Sequence, residues 1–94
     1  MENKKNKSIT VQRDVVIRSK YGLHARPAAL FVQTANKYEA SVRISKDGQD
    51  ADAKSIMSLL SLGAENGSVI TLVAEGDDAE EAMVELVKIL EKDE

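Results

Sequence analysis

The fold is decided by the stretch ASVRISKDGQDADA, residues 40–53, which has the pattern of two antiparallel strands joined by a tight turn. Apolar residues alternate with polar ones from Ala40 to Ser45, as in a strand with one buried face. Asp47-Gly48 then favours a two-residue hairpin turn, because both residue types tolerate a positive φ. Residues 49–53 are predicted to return as the second strand of an antiparallel pair.

A strand and a helix are predicted on the N-terminal side of this pair. The strand runs from Thr10 to Arg18, because its apolar residues recur at every second position, with Arg13 as an exception. The helix follows His24, and Asn36-Lys37 ends it with a cation that suits the helix dipole. Its core face is predicted from apolar residues at helical spacing, namely Ala28, Phe31, Val32 and Ala35.

Two helices and a strand are predicted on the C-terminal side. Ser55 is placed to cap a short helix that ends at Gly63. The β-branched run Val69–Ala74 predicts a central strand buried on both faces or nearly so. Asp77-Asp78 is expected to cap the last helix. The single apolar stripe of that helix consists of Ala79, Ala82, Met83, Leu86 and Leu90.

The predicted element order is β-α-β-β-α-β-α, without an internal repeat or linker. Strands joined by a hairpin and by crossovers favour one four-stranded, mainly antiparallel sheet with the three helices on one face. The expected fold class is therefore α+β, an open-faced β-sandwich. Residues 10–94 are expected to form this one domain, and the Lys-rich residues 1–9 a disordered N-terminal tail.

The composition excludes several classes of function. The net charge is -3 and only Phe31, Tyr21 and Tyr38 are aromatic, so nucleic acid is not an expected partner. The absence of cysteine excludes a disulfide framework and fits the reducing cytoplasm, where we expect the protein. No apolar stretch is long enough for membrane insertion. One histidine without cysteine cannot form a typical metal site, so neither a metal nor a cofactor is expected.

The stretch GLHARPA, residues 22–28, contains the only histidine and the only proline of the chain, where a loop turns into a helix. A helix start offers unpaired backbone N–H groups, here from Ala25 onward, and the positive end of the dipole, which together favour anionic oxygens. Arg26 adds a guanidinium that can bind two phosphate oxygens, and Pro27 suits the first helical turn. The segment therefore predicts a phosphate site.

His24 supplies the chemistry expected at this site. Its neutral imidazole is a good nucleophile near neutral pH, and the positive end of the helix dipole disfavours the imidazolium. Taken alone, such a histidine is more often a surface or capping residue, Arg26 a solvated charge and Pro27 a helix initiator. Their order on one helix start favours a site at which His24 receives phosphate.

The short second helix has more apolar residues than one buried face needs. They form two sets on opposite sides of the helix, so one set is expected in the core and the other at the surface. One set is Ile56, Met57 and Leu60, and the other is Leu59 and Leu62. An exposed apolar set beside a reactive histidine predicts a docking surface for partner proteins. The alternative is that all five side chains belong to the core.

The stretch GLHARPA resembles the active-site signature of the histidine-containing phosphocarrier (HPr) family of the bacterial phosphoenolpyruvate:sugar phosphotransferase system. The stretch KSIM, residues 54–57, resembles the regulatory serine segment of the family, at the expected interval after His24. The element order also matches, and the resemblance covers about residues 10–91. The Lys-rich tail is not explained by the family pattern.

The resemblance implies that His24 is phosphorylated on Nδ1 by phospho-Enzyme I and passes the phosphoryl group to Enzyme II A domains. The set Ile56, Met57 and Leu60 matches the docking surface of the family. Ser55 matches the serine phosphorylated by HPr kinase, which implies a link to a catabolite-repression transcription factor. The chain would then be a carrier, not an enzyme, and we expect a monomer.

Three functions remain open from the sequence. The first is the sugar-transport phosphocarrier. The second is a regulatory protein of the same fold, whose phosphorylation state controls partner proteins rather than sugar transport. The third is an unrelated small α+β ligand-binding domain with a surface histidine.

Overall fold

Seven elements follow one another in the predicted order in the computed structural model, which describes residues 9–92. The strands are β1 Thr10–Val16, β2 Ser41–Lys46, β3 Gln49–Asp52 and β4 Val69–Glu75. The helices are α1 Ala25–Ala35, α2 Ile56–Ser61 and α3 Ala79–Glu91. The predicted fold class, α+β, is confirmed.

The four strands form one antiparallel sheet in the order β1-β4-β2-β3. The predicted hairpin joins β2 to β3, with φ angles of 51° at Asp47 and 83° at Gly48. Positive angles at both turn residues match the right-handed twist of the flanking strands. β4 lies between β1 and β2, which confirms that it is a central strand.

Buried side chains lie on one face of the sheet, where the helices pack. Along β4, Ile70, Leu72 and Ala74 are buried, whereas Val69 is 59% exposed. The prediction that this strand is buried on both faces or nearly so holds for one face, because on the other face Thr71 and Val73 are only half-buried and Val69 is exposed. No element within residues 9–92 covers the second face of the sheet. The β-branched residues of β4 on that face favour the strand conformation but are not part of the core.

The predicted stripes of the two long helices are confirmed as core. α1 buries Ala28, Phe31 and Ala35, and Phe31 is the largest side chain with no exposed surface. Val32, also predicted on this face, is half-buried and packs against the core from its margin. α3 buries all five predicted residues, Ala79, Ala82, Met83, Leu86 and Leu90.

β1 ends before Ile17, whereas the sequence predicted a strand through Arg18. Ile17 donates its N–H to the carbonyl of Ser68 at 2.9 Å and accepts from the N–H of Gly67 at 2.8 Å. The N–H of Arg18 instead donates to the carbonyl of Leu90 in α3, 2.9 Å away. The chain therefore leaves the sheet at this point and runs toward the helices.

Asp78 occupies the N-cap position of α3, but its carboxylate does not cap the helix. Its two oxygens accept hydrogen bonds from the backbone N–H groups of Glu39 and Ala40, each at 2.9 Å. The bond from Glu39 is the largest cause that lowers the pKa of Asp78. The predicted cap is thus right in position and wrong in the role of the side chain. The stability gained from these bonds is lost as the pH falls through the lowered pKa.

The predicted tail lies outside the described residues, apart from Ile9. The carbonyl of Ile9 accepts a hydrogen bond from the N–H of Gly76 at 2.9 Å. Within residues 9–92, no helix has the length and apolar character that crossing a membrane requires.

Candidate functional site

His24 is the N-cap residue of α1, and its side chain is exposed. Its backbone is extended, with φ −97° and ψ −170°, and its carbonyl accepts the first helical hydrogen bond from the N–H of Ala28 at 2.9 Å. The imidazole makes no capping hydrogen bond to the described helix. Its ring nitrogens are therefore not engaged by the helix that it precedes.

The first turn of α1 presents backbone donors beside His24. Ala25 and Arg26 are the first two helical residues, so their N–H groups have no acceptor within the helix. Pro27 holds the third position, where its missing N–H costs no helical bond, as predicted. This turn contains no acidic residue, so no carboxylate in it opposes an anion at these donors.

His24 and Arg26 line the same open cleft, of about 550 Å³, between the start of α1 and the end of α3. Leu30 of α1 and Ile89 of α3 supply apolar walls, and Lys92 is a second basic side chain of the lining. The described lining contains no carboxylate side chain, so the cleft favours anionic groups. Across residues 9–92, no cluster of three or more metal-ligating side chains occurs.

Gly22 brings the loop before His24 against the segment before β4. Its φ is +77°, and an added Cβ would lie 2.6 Å from the carbonyl oxygen of Ala64 and 2.7 Å from the Cα of Glu65. The next residue, Leu23, is buried and donates its N–H to the same carbonyl at 2.9 Å. Only glycine permits both the backbone angle and this close approach.

Asn66 fixes the same loop through its side-chain amide. Its Nδ2 donates to the carbonyl of Ser19 at 3.0 Å and to that of Arg18 at 3.2 Å. Ser19 also accepts the N–H of Gly22 at 3.0 Å, which closes a turn before His24. From the sequence, Asn66 is predicted only as part of the turn before β4 and not as a residue of the site, because its partners lie almost fifty residues away along the chain.

Tyr21 is the neighbour of His24 that the sequence reasoning missed. The two ring centroids lie 5.8 Å apart with their planes at 83°, which is an edge-to-face arrangement. Tyr21 is 73% exposed, so its ring contributes little to the core. The available signal was an aromatic residue three positions before the only histidine, in a chain with few aromatic side chains.

Ser55 is the N-cap residue of α2, as predicted. Its Oγ accepts a hydrogen bond from the N–H of Ser58 at 3.3 Å, and the residue is half-buried. The Nδ2 of Asn36, which ends α1, donates to the carbonyl of Lys54 at 3.3 Å. This bond ties the segment before Ser55 to the end of the helix that begins at His24.

The apolar residues of α2 divide between core and surface, so the alternative that all five are core is wrong. Leu59 and Leu62 are buried. Met57 is 72% exposed and Leu60 is 37% exposed, while Ile56 is half-buried against the edge of the core. The helical spacing separated these two sets, and the exposed one is the set that the family resemblance matched to a docking surface. Its role in docking is not tested by burial.

Comparison with known proteins agrees with this fold. A family model described as the HPr component phosphorylation site of the phosphotransferase system matches residues 11–92. The HPr-like protein Crh of Halalkalibacterium halodurans is 51% identical over 88% of this chain and 99% of its own length. The phosphocarrier protein HPr of Vibrio cholerae is 40% identical over 86% of this chain and 95% of its own. The chain therefore belongs to the HPr family of phosphocarrier proteins.

Solved structures of similar proteins include an HPr and a dimeric Crh. The structure of HPr from Bacillus anthracis has a TM-score of 0.84 and 51% identity, covering 86% of this chain and 96% of its own. A structure of Crh from Bacillus subtilis, a dimer with a swapped domain, has a TM-score of 0.70 and 49% identity, covering 85% and 92%. The expectation of a monomer is therefore not confirmed.

Replacement of Gly22 by alanine is expected to destabilise the fold more than replacement of Gly63. Both residues have a positive φ, but an added Cβ at Gly63 meets nothing within 4 Å, so its cost is roughly 1–2 kcal/mol of backbone strain. Gly22→Ala adds overlap with the backbone of Ala64 and Glu65. Urea unfolding followed by circular dichroism measures both free energies. Equal losses in the two variants would contradict the close approach at Gly22.

Proposed function

We propose that the chain is a phosphocarrier that accepts a phosphoryl group on His24 from phospho-Enzyme I and passes it to Enzyme II A domains in sugar uptake. The observation that carries the proposal is the exposed imidazole at the open start of α1, in one cleft with Arg26. Membership of the HPr family supports it, because the matching family model is named for its phosphorylation site.

The transfer requires only a nucleophile and an anion cradle from this chain. The neutral imidazole keeps its proton on Nε2, and the lone pair on Nδ1 attacks phosphorus while the bond from phosphorus to the donor breaks. The N–H groups of Ala25 and Arg26 and the Arg26 guanidinium stabilise the phosphoryl oxygens. Attack by an acceptor then breaks the Nδ1–P bond and regenerates the neutral ring.

The chain acts in this scheme as a protein substrate and not as an enzyme. Phosphoryl transfer depends mainly on alignment and charge neutralisation, and the partner site supplies most of both. One arginine and two backbone donors hold the phosphoryl group firmly enough for transit without trapping it. The reducing cytoplasm suits a chain without cysteine, and we place the carrier there.

We propose that the set Ile56, Met57 and Leu60 forms the docking surface for these partners. Docking that removes exposed apolar side chains of this size from water lowers the free energy of the complex. α2 packs against α1, so a partner seated on α2 lies beside the helix that begins at His24. Binding and transfer then use one contiguous side of the molecule.

Ser55 is the proposed site of regulation, through phosphorylation by HPr kinase and recognition by a catabolite-repression transcription factor. A phosphate on its Oγ adds nearly two negative charges directly before Ile56 and Met57. These charges oppose docking of a partner that presents an apolar or acidic surface. The fold is retained because the group is added at a half-buried cap and not within the core.

A purely regulatory role is the second candidate, because the Crh of Halalkalibacterium halodurans is as similar to this chain, at 51% identity, as the HPr of Bacillus anthracis. In that role the phosphorylation state of the chain controls partner proteins, and the chain takes no part in sugar transport. Transfer from the phosphorylated chain to isolated Enzyme II A domains separates the two. Labelling of an A domain supports transport, whereas labelling of the chain without onward transfer supports regulation.

Incubation with phosphoenolpyruvate and Enzyme I is expected to add one acid-labile, base-stable phosphate, and His24→Ala is expected to abolish it. Arg26→Ala should slow labelling by on the order of tenfold, because a charge-assisted hydrogen bond to the phosphoryl group is lost. Arg43→Ala, at an exposed arginine on the sheet, is the matched control. Labelling of His24→Ala, or equal rates for the two arginine variants, would refute these roles.

Met57→Glu is expected to weaken binding to Enzyme I by roughly tenfold or more, because docking would desolvate an unpaired charge. The melting temperature should hardly change, since the side chain is mostly exposed. Val84→Glu places the same charge at an exposed apolar position of α3 and serves as the control. Calorimetric titration measures both affinities. A large fall in melting temperature, or equal weakening by both variants, would contradict the docking surface.

Ser55→Asp is expected to slow phosphotransfer from Enzyme I markedly, with little change in melting temperature. Asparagine caps a helix about as well as aspartate or serine but carries no charge, so Ser55→Asn should transfer at the parent rate. Single-turnover labelling compares the three proteins. If Ser55→Asp matches Ser55→Asn, and ATP with HPr kinase does not label the parent, Ser55 is only a helix cap.

A further inference from the structure

We infer that Tyr21 is a positioning residue for His24, because its ring restrains the imidazole in the orientation from which Nδ1 meets the phosphoryl donor. This inference rests on the proposed function and adds to it the group that orients the nucleophile. The observation behind it is the edge-to-face contact between the two rings, with centroids 5.8 Å apart. Such a contact has a preferred geometry, unlike the burial of an aliphatic side chain.

The His24 ring needs a restraint that the helix does not supply. It is exposed and makes no capping hydrogen bond to α1, so the described helix leaves its two side-chain torsions to be set by other contacts. Phosphoryl transfer requires Nδ1 to point at phosphorus in line with the leaving group. A ring that samples several orientations presents Nδ1 correctly for only part of the time.

The Tyr21 ring is held in a place from which it can provide that restraint. It lies on the turn closed by the hydrogen bond from Gly22 N–H to the Ser19 carbonyl, which Asn66 ties to the segment before β4. The Nζ of Lys20 lies over the Tyr21 ring, 5.8 Å from its centroid. Tyr21 therefore contacts His24 from a turn that hydrogen bonds hold in place, with the Lys20 ammonium over its ring.

The restraint is assigned to the aromatic ring and not to the phenolic hydroxyl. The ring contact with His24 is present before any phosphate arrives, and phenylalanine preserves it. A role for the hydroxyl as a donor to phosphoryl oxygens would instead be lost in Tyr21→Phe. The pair Tyr21→Phe and Tyr21→Ala therefore distinguishes orientation of the nucleophile from direct binding of phosphate.

The first arm of the test uses the unphosphorylated protein and does not depend on Enzyme I. In Tyr21→Ala, the NMR signals of the His24 ring protons should shift as the tyrosine ring current is lost, and the side-chain couplings should average over several rotamers. Tyr21→Phe should retain both the shifts and the couplings of the parent. Tyr38→Phe and Tyr38→Ala, at the tyrosine that follows α1, control for general effects of losing an aromatic side chain.

The second arm measures single-turnover labelling by phosphoenolpyruvate and Enzyme I. Tyr21→Ala should slow labelling by on the order of tenfold at an unchanged melting temperature. Tyr21→Phe should retain the labelling rate of the parent within about twofold. Either an unchanged rate or unchanged NMR couplings in Tyr21→Ala would overturn the inference. Equal loss in both variants would overturn it in favour of the hydroxyl.

Failure of the proposed function gives a different result from failure of this inference. If the parent chain is not labelled on His24, the carrier function fails while the NMR arm still decides whether Tyr21 restrains the ring. If the parent is labelled and Tyr21→Ala is labelled equally fast, the carrier function stands and the positioning role is wrong.

Discussion

The position of His24 depends on the close contact between the loop before α1 and the segment before β4. Gly22 has no Cβ to separate the two backbones, and Leu23 donates its N–H to the carbonyl of Ala64 on the other side. The contact fixes where α1 begins relative to the sheet. The unpaired donors of the first helical turn, the imidazole and the cleft beside Arg26 all take their places from it.

The features that the sequence predicted well are those set by neighbouring residues. The turn at Asp47-Gly48 requires positive φ angles that few residue types adopt, so two positions define the hairpin. The cap at Ser55 needs only a hydroxyl and the N–H of Ser58 three residues later. The start of α1 at His24 is equally local, because the loop and the proline lie within one turn and the apolar spacing of the helix follows directly.

The features that the sequence did not predict arise from segments far apart in the chain. The Asp78 carboxylate meets N–H groups almost forty residues away instead of capping its own helix. The amide of Asn66 holds a turn near the first strand, and the Tyr21 ring reaches His24 only because that turn is folded. The exposed face of β4 was mispredicted for the related reason that β-branched residues suit a strand whether or not a second layer covers it.

Transport and regulation make different demands on this geometry. Phosphorylation of Ser55 needs an accessible serine, and recognition of α2 needs an apolar surface. Neither requirement depends on a defined conformation of the loop before α1. An exposed imidazole at an open helix start, in a cleft with Arg26 and on a loop fixed by Gly22 and Asn66, adds nothing to control through Ser55. Such features are of use when a phosphoryl group must reach one nitrogen in a defined direction. The geometry at His24 therefore fits the proposed transfer of a phosphoryl group, whereas the proposed control through Ser55 depends on α2.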